Sequence, residues 1–229
     1  MEIIHNKLKE LSKEFKGEIY TDKITQILYS TDASAYKETP LAITLPKDKN
    51  DIKLLIDFAI KNKTSLIPRT AGTSLAGQVV GNSIIVDVSK YLNKIIEINE
   101  AEKWVRVEPG VVLDELNKIL EPKGLFFGPE TSTSNRCMIG GMVGNNSCGA
   151  HSLIYGSTRE HTIAIKGFMS DGSEVEFKPL SNEEFKQKIN DNNLEGKVYR
   201  QIFNILSNEE NRKEIEEQFP DKEIERRNT

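Results

Sequence analysis

The chain has 229 residues and sets 31 Lys and Arg against 35 Asp and Glu, a formal charge of −4 at neutral pH. Hydrophobic residues make up 37% and charged residues 29%, a globular rather than a disordered composition. No apolar run reaches the ~18–20 residues of a membrane span. The only cysteines, Cys137 and Cys148, are too few for a disulfide scaffold or a cysteine-built metal site, and the mild acidity argues against nucleic acid as the main partner.

In chain order, His5 to Phe15 reads as a short amphipathic helix with Leu8, Leu11 and Phe15 at helical spacing. Tyr29 to Ser34 is polar and reads as irregular. Leu41 to Leu45, bounded by Pro40 and Pro46, predicts a buried strand. Asp48 caps a helix whose apolar stripe is Ile52, Leu55, Ile56, Ala59 and Ile60. Ser65 to Pro68 follows as a strand, which completes a βαβ unit with parallel strands, and Ser83 to Val88 is a third strand. Ile95 to Ile98 and Trp104 to Val107 pair around a polar turn, and Val111 to Leu120 is a helix stopped near Pro122 and Gly124. Thr162 to Met169 and Ser173 to Phe177 flank Ser170-Asp171-Gly172, a hairpin turn. Ser181 caps a helix with Glu184 in a capping-box position, and two charged helices follow, Val198 to Leu206 and Glu209 to Phe219. The fold class is α+β in two lobes: a small parallel βαβ lobe over residues 36–90, and a larger, mainly antiparallel lobe over 91–180 with flanking helices.

Thirteen of the fifteen glycines lie between Gly72 and Gly172, so close backbone approach concentrates in the middle of the chain. The segment from Pro68 to Gln78, Pro-Arg-Thr-Ala-Gly-Thr-Ser-Leu-Ala-Gly-Gln, directly follows a strand. Its small residues suit an anion nest of inward N–H groups for a diphosphate, and suit a plain turn equally well. It is no Walker loop, since no Lys follows Gly77, and it lacks Gly-x-Gly-x-x-Gly. Pro129 to Asn135 and Met138 to Gly149 form a long run of small and polar residues with little to bury. That run fits either ligand lining or an ordered surface loop. Pro109-Gly110 marks a sharp exit from a strand, and Tyr155-Gly156-Ser157-Thr158-Arg159 is a third short cluster.

Arg-x-x-Gly-Thr-Ser-x-x-Gly, then Pro-Gly, then Ile-Gly-Gly with Asn146 and Gly149 downstream, then Tyr-Gly, form a recognisable series. It resembles the FAD-binding domain of the vanillyl-alcohol-oxidase (p-cresol methylhydroxylase) type. The likeness extends in particular to the glycolate oxidase flavin subunit and the FAD-linked D-lactate and D-2-hydroxyglutarate dehydrogenases. It covers Tyr29 to Phe177 and, more weakly, the terminal helices. It implies that residues 1–229 form such a domain, with the substrate or cap domain absent and FAD held in extended form. Pro68, Arg69, Thr70, Ala71, Gly72, Thr73 and Ser74 would surround the pyrophosphate. Pro109, Gly110, Ile139, Gly140 and Gly141 would follow the adenine, ribose and diphosphate. Glu130, Thr131, Ser132, Ser134, Asn146 and Thr158 would meet the diphosphate, ribityl chain or ring, and Ile163 would offer main-chain bonds. Gln78, Pro129, Gly144, Asn145 and Gly149 complete the implied contact set.

Some relatives attach the flavin through a His in the pyrophosphate loop, and Thr73 stands at that position here, which implies non-covalent FAD. The implied reaction is hydride transfer from the α-carbon of a D-2-hydroxy acid to the flavin, giving the 2-oxo acid. In relatives the catalytic His and the groups gripping the carboxylate come from a later region, so no catalytic residue is assigned. His151 and His161 read as structural or flavin-edge residues and His5 as surface; Trp104, Cys137 and Cys148 read as packing. Arg226-Arg227-Asn228-Thr229 resembles a segment that, in large relatives fused to an iron–sulfur module, leads into the rest of the flavin unit. The expected partners are a 2-hydroxy-acid substrate and the remainder of the same polypeptide, with such a module. Alternatives are an FAD electron-transfer module of a multi-subunit complex, a cell-wall precursor reductase sharing the fold, and a non-enzymatic binding remnant. Met1 to His5 lack the layout of a signal peptide, so the expected location is the cytoplasm, or peripheral at the inner membrane through electron-acceptor partners.

Overall fold

The computed structural model describes residues 2–219; the Arg226-Arg227-Asn228-Thr229 segment lies outside the described residues. The chain divides into two compact units after His161. The first begins with α1 (Glu2–Leu11), β1 (Glu18–Tyr20), α2 (Lys23–Leu28), β2 (Ala42–Leu45), α3 (Lys49–Asn62), β3 (Leu66–Arg69) and β4 (Ile84–Asp87). These strands form one sheet in the order β1-β2-β4-β3, with β4 parallel to both β2 and β3 and β1 antiparallel on the edge. The two strands of the expected βαβ unit do run in the same direction, but β4 lies between them. Every residue of β2 and β4 is buried, which is why both read as short apolar runs without alternation. Leu8 of α1 and Phe58 of α3 pack with Ala42 and Ile84 on one face, while Ile43 and Ile85 meet Tyr29, Ile67 and Tyr91 on the other.

Three details depart from the sequence reading. Helix α1 stops at Leu11, and a turn carries Phe15 separately into the core. Strand β1 and helix α2, of three and six residues, were not anticipated. Asp48 caps α3 as expected, but the buried positions of that helix are Asp51, Leu55, Phe58 and Ala59, and Ile60 is 53% exposed. Asp51 belongs to the buried stripe because its carboxylate accepts three backbone N–H groups, from Lys16 at 2.9 Å, Gly17 at 3.0 Å and Lys47 at 2.9 Å. It ties the entry to β1 and the exit of β2 to the first turn of α3.

The first unit continues with β5 (Ile95–Asn99) and β6 (Trp104–Val107), an antiparallel pair with a bulge between Ile95 and Glu97. Helix α4 (Leu113–Leu120) packs on this pair through Leu116 and Leu120, and a 3₁₀ turn with left-handed Gly124 ends it. Helix α4 begins two residues later than the sequence pattern suggests. Two short helices, α5 (Ile139–Gly144) and α6 (Ser152–Tyr155), complete this unit with a 3₁₀ turn from Thr158 to His161.

The second unit holds the β7 (Ile165–Phe168) and β8 (Glu174–Phe177) hairpin, whose turn places Gly172 at φ +82°. Helices α7 (Asn182–Asn190), α8 (Leu194–Ser207) and α9 (Glu209–Gln218) follow. Ser181 and Glu184 form the expected capping box. Phe185 packs against Tyr199 and Phe203, and buried Glu195 pairs with Lys188 at 2.7 Å. All of α9 is exposed, in keeping with a solvated charged face. A boundary at 90/91 separates the four-stranded sheet from the β5–β6 pair, whereas the break between compact units comes after His161.

Two stability measurements check this scheme. Asp51→Asn removes the charge that serves three donors and is expected to cost about 2–3 kcal/mol in urea unfolding. Glu18 is held at about 2, well below its ordinary 4.5, by hydrogen bonds from Lys90 first, then Tyr20 and Tyr91. A carboxylate lowered on folding adds stability that is complete above the ordinary pKa and is lost as pH falls toward the folded one. Glu18→Gln should therefore flatten the fall of melting temperature between pH 4.5 and 2; with its side chain 26% exposed, the difference is small.

Candidate functional site

Residues 70–78 leave the C-terminal end of β3, the end of a parallel sheet where ligands are usually met. Gly72 turns the loop at φ +66°, a conformation that a side chain resists, and its carbonyl accepts the Ala33 N–H at 3.0 Å. Among the described residues, no acceptor takes the backbone N–H groups of Thr70, Ala71, Gly72, Thr73 or Ser74, although all five residues are half-buried. A row of half-buried donors with no protein acceptor is an arrangement that can hold an anion.

Beside it the chain forms a cradle of close backbone contacts. A Cβ on Gly110 would lie 2.7 Å from the carbonyls of Val88 and Leu92. One on Gly140 would lie 2.5 Å from the Pro109 Cβ, and one on Gly141 2.5 Å from the Thr70 Oγ1. Backbone bonds fix the same approach, from Gly110 N to Leu92 O at 2.7 Å, Gly140 N to Pro109 O at 2.8 Å and Ile139 N to Val111 O at 2.9 Å. Ile139-Gly140-Gly141 is the first turn of α5. Gln78 Nε2 donates to Asn145 Oδ1 at 3.4 Å, which links the loop to the other end of that helix.

The Pro129 to Ser134 stretch serves the fold as well as the cradle. The Ser134 and Cys137 carbonyls accept the N–H groups of Asp114 and Leu113, capping α4, whose N-cap Val112 has no side-chain acceptor. Thr131 Oγ1 donates to the Cys137 Sγ at 3.2 Å; Cys137 packs with Leu113 and Met142, and burial pushes its thiol up. Pro129 is buried and Ser132 exposed. The Glu130 carbonyl abuts Gly149, and the Glu130 carboxylate meets His151 Nδ1 at 2.9 Å. Asn146 accepts the Arg159 N–H at 2.9 Å. Gly144 is exposed and faces open space.

Three of the expected contact residues, Thr158, Ile163 and Arg69, have the following surroundings. Thr158 is fully buried, and its hydroxyl donates to the Ser147 carbonyl at 2.7 Å, so it braces the 145–147 turn from inside. Ile163 is 63% exposed and belongs to the second unit. The Arg69 side chain turns to its own protein: Nη2 donates to Thr31 O at 2.9 Å, and Nη1 approaches Tyr29 O and Val79 O at 3.4 Å. Its guanidinium lies over the Tyr29 ring at 5.2 Å, and the Tyr29 hydroxyl donates to buried Asp87 at 2.6 Å. Burial, then that bond to Asp87, raises the Tyr29 pKa. Tyr29, Arg69, Thr70, Ala71, Asp87 and Ser89 line a pocket of about 240 Å³ with Leu28. A larger concavity of about 530 Å³, over α4 at Asp114, Lys118 and Phe126, shares no residue with the glycine loops. Sequence reasoning missed Tyr29, Thr31, Asp87 and Ser89. The signal for Asp87 was there, as a charge ending an otherwise apolar strand, Ile84-Ile85-Val86-Asp87.

Residues 40–178 match the model of a family described as FAD binding domain. The chain is 38% identical over 207 residues to a D-2-hydroxyglutarate dehydrogenase of Escherichia coli strain K12, covering 89% of this chain and 20% of that protein. It is 31% identical over 149 residues to the glycolate oxidase subunit GlcD of Bacillus subtilis strain 168, covering 64% and 32%. Among solved structures, an alkyldihydroxyacetonephosphate synthase superposes over 77% of this chain and 35% of its own with a TM-score of 0.67; at 20% identity the likeness is one of fold. The chain spans about a fifth of the length of the dehydrogenase it matches.

The row of free amides and the glycine cradle fit a diphosphate-bearing cofactor. Gly140→Ala drives a methyl into the rigid Pro109 ring and backbone, whereas Gly141→Ala meets only a hydroxyl that can rotate. Gly140→Ala is expected to cost about 1–3 kcal/mol of stability and Gly141→Ala less. Calorimetric FAD titration should show the same order of lost affinity.

Proposed function

The chain belongs to the FAD binding domain family, and from that premise we propose that it is the FAD-holding part of an oxidoreductase. The proposed reaction oxidises a D-2-hydroxy acid of the lactate, glycolate or 2-hydroxyglutarate class to the 2-oxo acid. The observation that carries the cofactor side is the row of unpartnered N–H groups from Thr70 to Ser74 beside the Gly140-Gly141 turn. The substrate side is supported by the names of the relatives, a D-2-hydroxyglutarate dehydrogenase and a glycolate oxidase subunit.

Bound FAD supplies the acceptor for the hydride that leaves the α-carbon of the acid. The protein's own part is grip and placement. A chain of net charge −4 draws a dianion poorly through its overall field, so local amides must supply the attraction. Pro109, Gly110, Gly140 and Gly141 allow backbone to approach the cofactor closely, and Gln78, Glu130, Asn145 and Asn146 offer polar side chains around it. Thr73 has no imidazole to bond a flavin ring, so the FAD is held without a covalent link.

The proposed domain division is 36–90 and 91–180, supported by a family match from 40 to 178 that reaches into both. The catalytic base is proposed to come from other parts of a longer polypeptide. His5 and His161 each bond a nearby carbonyl, of Leu41 and Tyr155, and His151 pairs with Glu130. The proposed electron-transfer partner is an iron–sulfur module carried on that polypeptide. No group of His, Cys, Asp and Glu among the described residues is placed to hold a metal ion. No helix among them is long and apolar enough to cross a membrane. The proposed location is the cytoplasm, or the inner-membrane surface through an acceptor.

Two experiments test this reading. Acid precipitation of the FAD-loaded chain should leave a colourless pellet and FAD in the supernatant; a yellow pellet would show a covalent bond. The complete gene product should reduce a dye acceptor with D-2-hydroxyglutarate, D-lactate or glycolate, and reduction by none of them overturns the assignment.

A further inference from the structure

Arg69 opens the diphosphate loop, and as its nearest cation it is the obvious candidate to touch the diphosphate. Its geometry argues otherwise. The guanidinium donates to the carbonyls of Thr31, Tyr29 and Val79, so its N–H groups are turned toward backbone on two segments that flank the loop. Val79 lies just past the end of the loop and Arg69 at its start, so one side chain pins entry to exit. The apex rests on the same group, since a Cβ on Gly72 would lie 2.6 Å from Nη2. Beneath the guanidinium is the Tyr29 ring, and the Tyr29 hydroxyl is fixed by Asp87, the register partner of Arg69 across the parallel β3–β4 pair. Asp87 is itself fixed, accepting the Ser89 N–H at 2.8 Å.

We infer that Tyr29 and Arg69 act in series as positioning residues for the diphosphate loop, with Arg69 shaping the row of N–H groups from below and making no contact with the diphosphate. The inference rests on the FAD reading above. Arg69 forms no direct ion pair with a carboxylate among the described residues, and its charge is spent on backbone carbonyls. Shape and charge are separable, because Lys keeps the charge and loses the planar fork that reaches three carbonyls.

The test is FAD titration of the full chain, followed by flavin fluorescence, with circular dichroism confirming that each variant is folded. Arg69→Lys and Tyr29→Leu should each weaken FAD binding about tenfold, the scale of one charge-assisted hydrogen bond. Tyr29→Phe keeps the ring under the guanidinium and should recover most of what Tyr29→Leu loses. The Arg69→Lys, Tyr29→Leu double variant should be little weaker than the worse single one, because residues acting in series do not add. If Tyr29→Leu fails to fold, Arg69→Lys, close to Arg in volume, carries the test. Wild-type affinity in Arg69→Lys, fully multiplicative losses in the double variant, or an equal loss in Tyr29→Phe and Tyr29→Leu would each overturn the inference. A wild-type chain that binds no FAD overturns the FAD reading and the inference together, whereas a wild type that binds and variants that match it overturn the inference alone.

Discussion

Backbone meets backbone where the two halves of the first unit join, and the cradle depends on that approach. Gly110 lies against the carbonyls that follow β4, Gly140 against Pro109, and Gly141 against the loop that follows β3. The Gly110 and Gly140 contacts leave no room for a methyl group against backbone and a proline ring, whereas Gly141 meets only the Thr70 hydroxyl. Hydrogen bonds from Gly110, Ile139 and Gly140 hold the same surfaces from within. The apolar clusters on either side make each half stable, but neither reaches across this seam with a large side chain. The result is a narrow region walled by peptide groups, which suits a ligand recognised by its charge and its length.

The same chemistry appears twice in this unit, once closed and once open. At Asp51 three backbone N–H groups converge on a carboxylate that the sequence supplies, and the site is internal and complete. At Thr70 to Ser74 five successive N–H groups have no acceptor among the described residues. A buried donor without a partner costs about 1–3 kcal/mol, whereas a half-buried row stays open to an acceptor from solvent or a ligand. Placing an acid there would have stabilised the fold and closed the site. Asp87, at the end of β4, is turned to the Tyr29 hydroxyl and the Ser89 N–H.

The parts legible in the sequence were those where one residue type has one use. Apolar runs between prolines became β2, Asp48 and Ser181 became caps, and Asp171-Gly172 became a hairpin turn. The parts that were not legible depend on tertiary partners. Glu18-Ile19-Tyr20 has no strand pattern by itself and becomes β1 only because it lies along β2. Three glycines in six residues disfavour a helix, yet α5 forms because its first turn is held by Pro109 and Val111. Ile60 fits the helical period of α3, but that helix is buried on the side of Asp51, whose value shows only once Lys16, Gly17 and Lys47 are known to face it. At the candidate site, the glycine spacing identified the loops, while the direction of Arg69 and the burial of Thr158 depended on distant carbonyls.

A cradle of amides and glycines reads a diphosphate by charge and reach, and it carries no information about an acid that reacts elsewhere on the cofactor. The two relatives bear this out. One is named for 2-hydroxyglutarate and the other for glycolate, and this chain is similar to both. Likeness of fold extends further still, to a synthase whose printed name is neither a dehydrogenase nor an oxidase. What the synthase shares with this chain is the fold. What distinguishes their substrates must reside in side chains that the cradle does not need, and those are free to change without disturbing Gly110, Gly140 or Gly141.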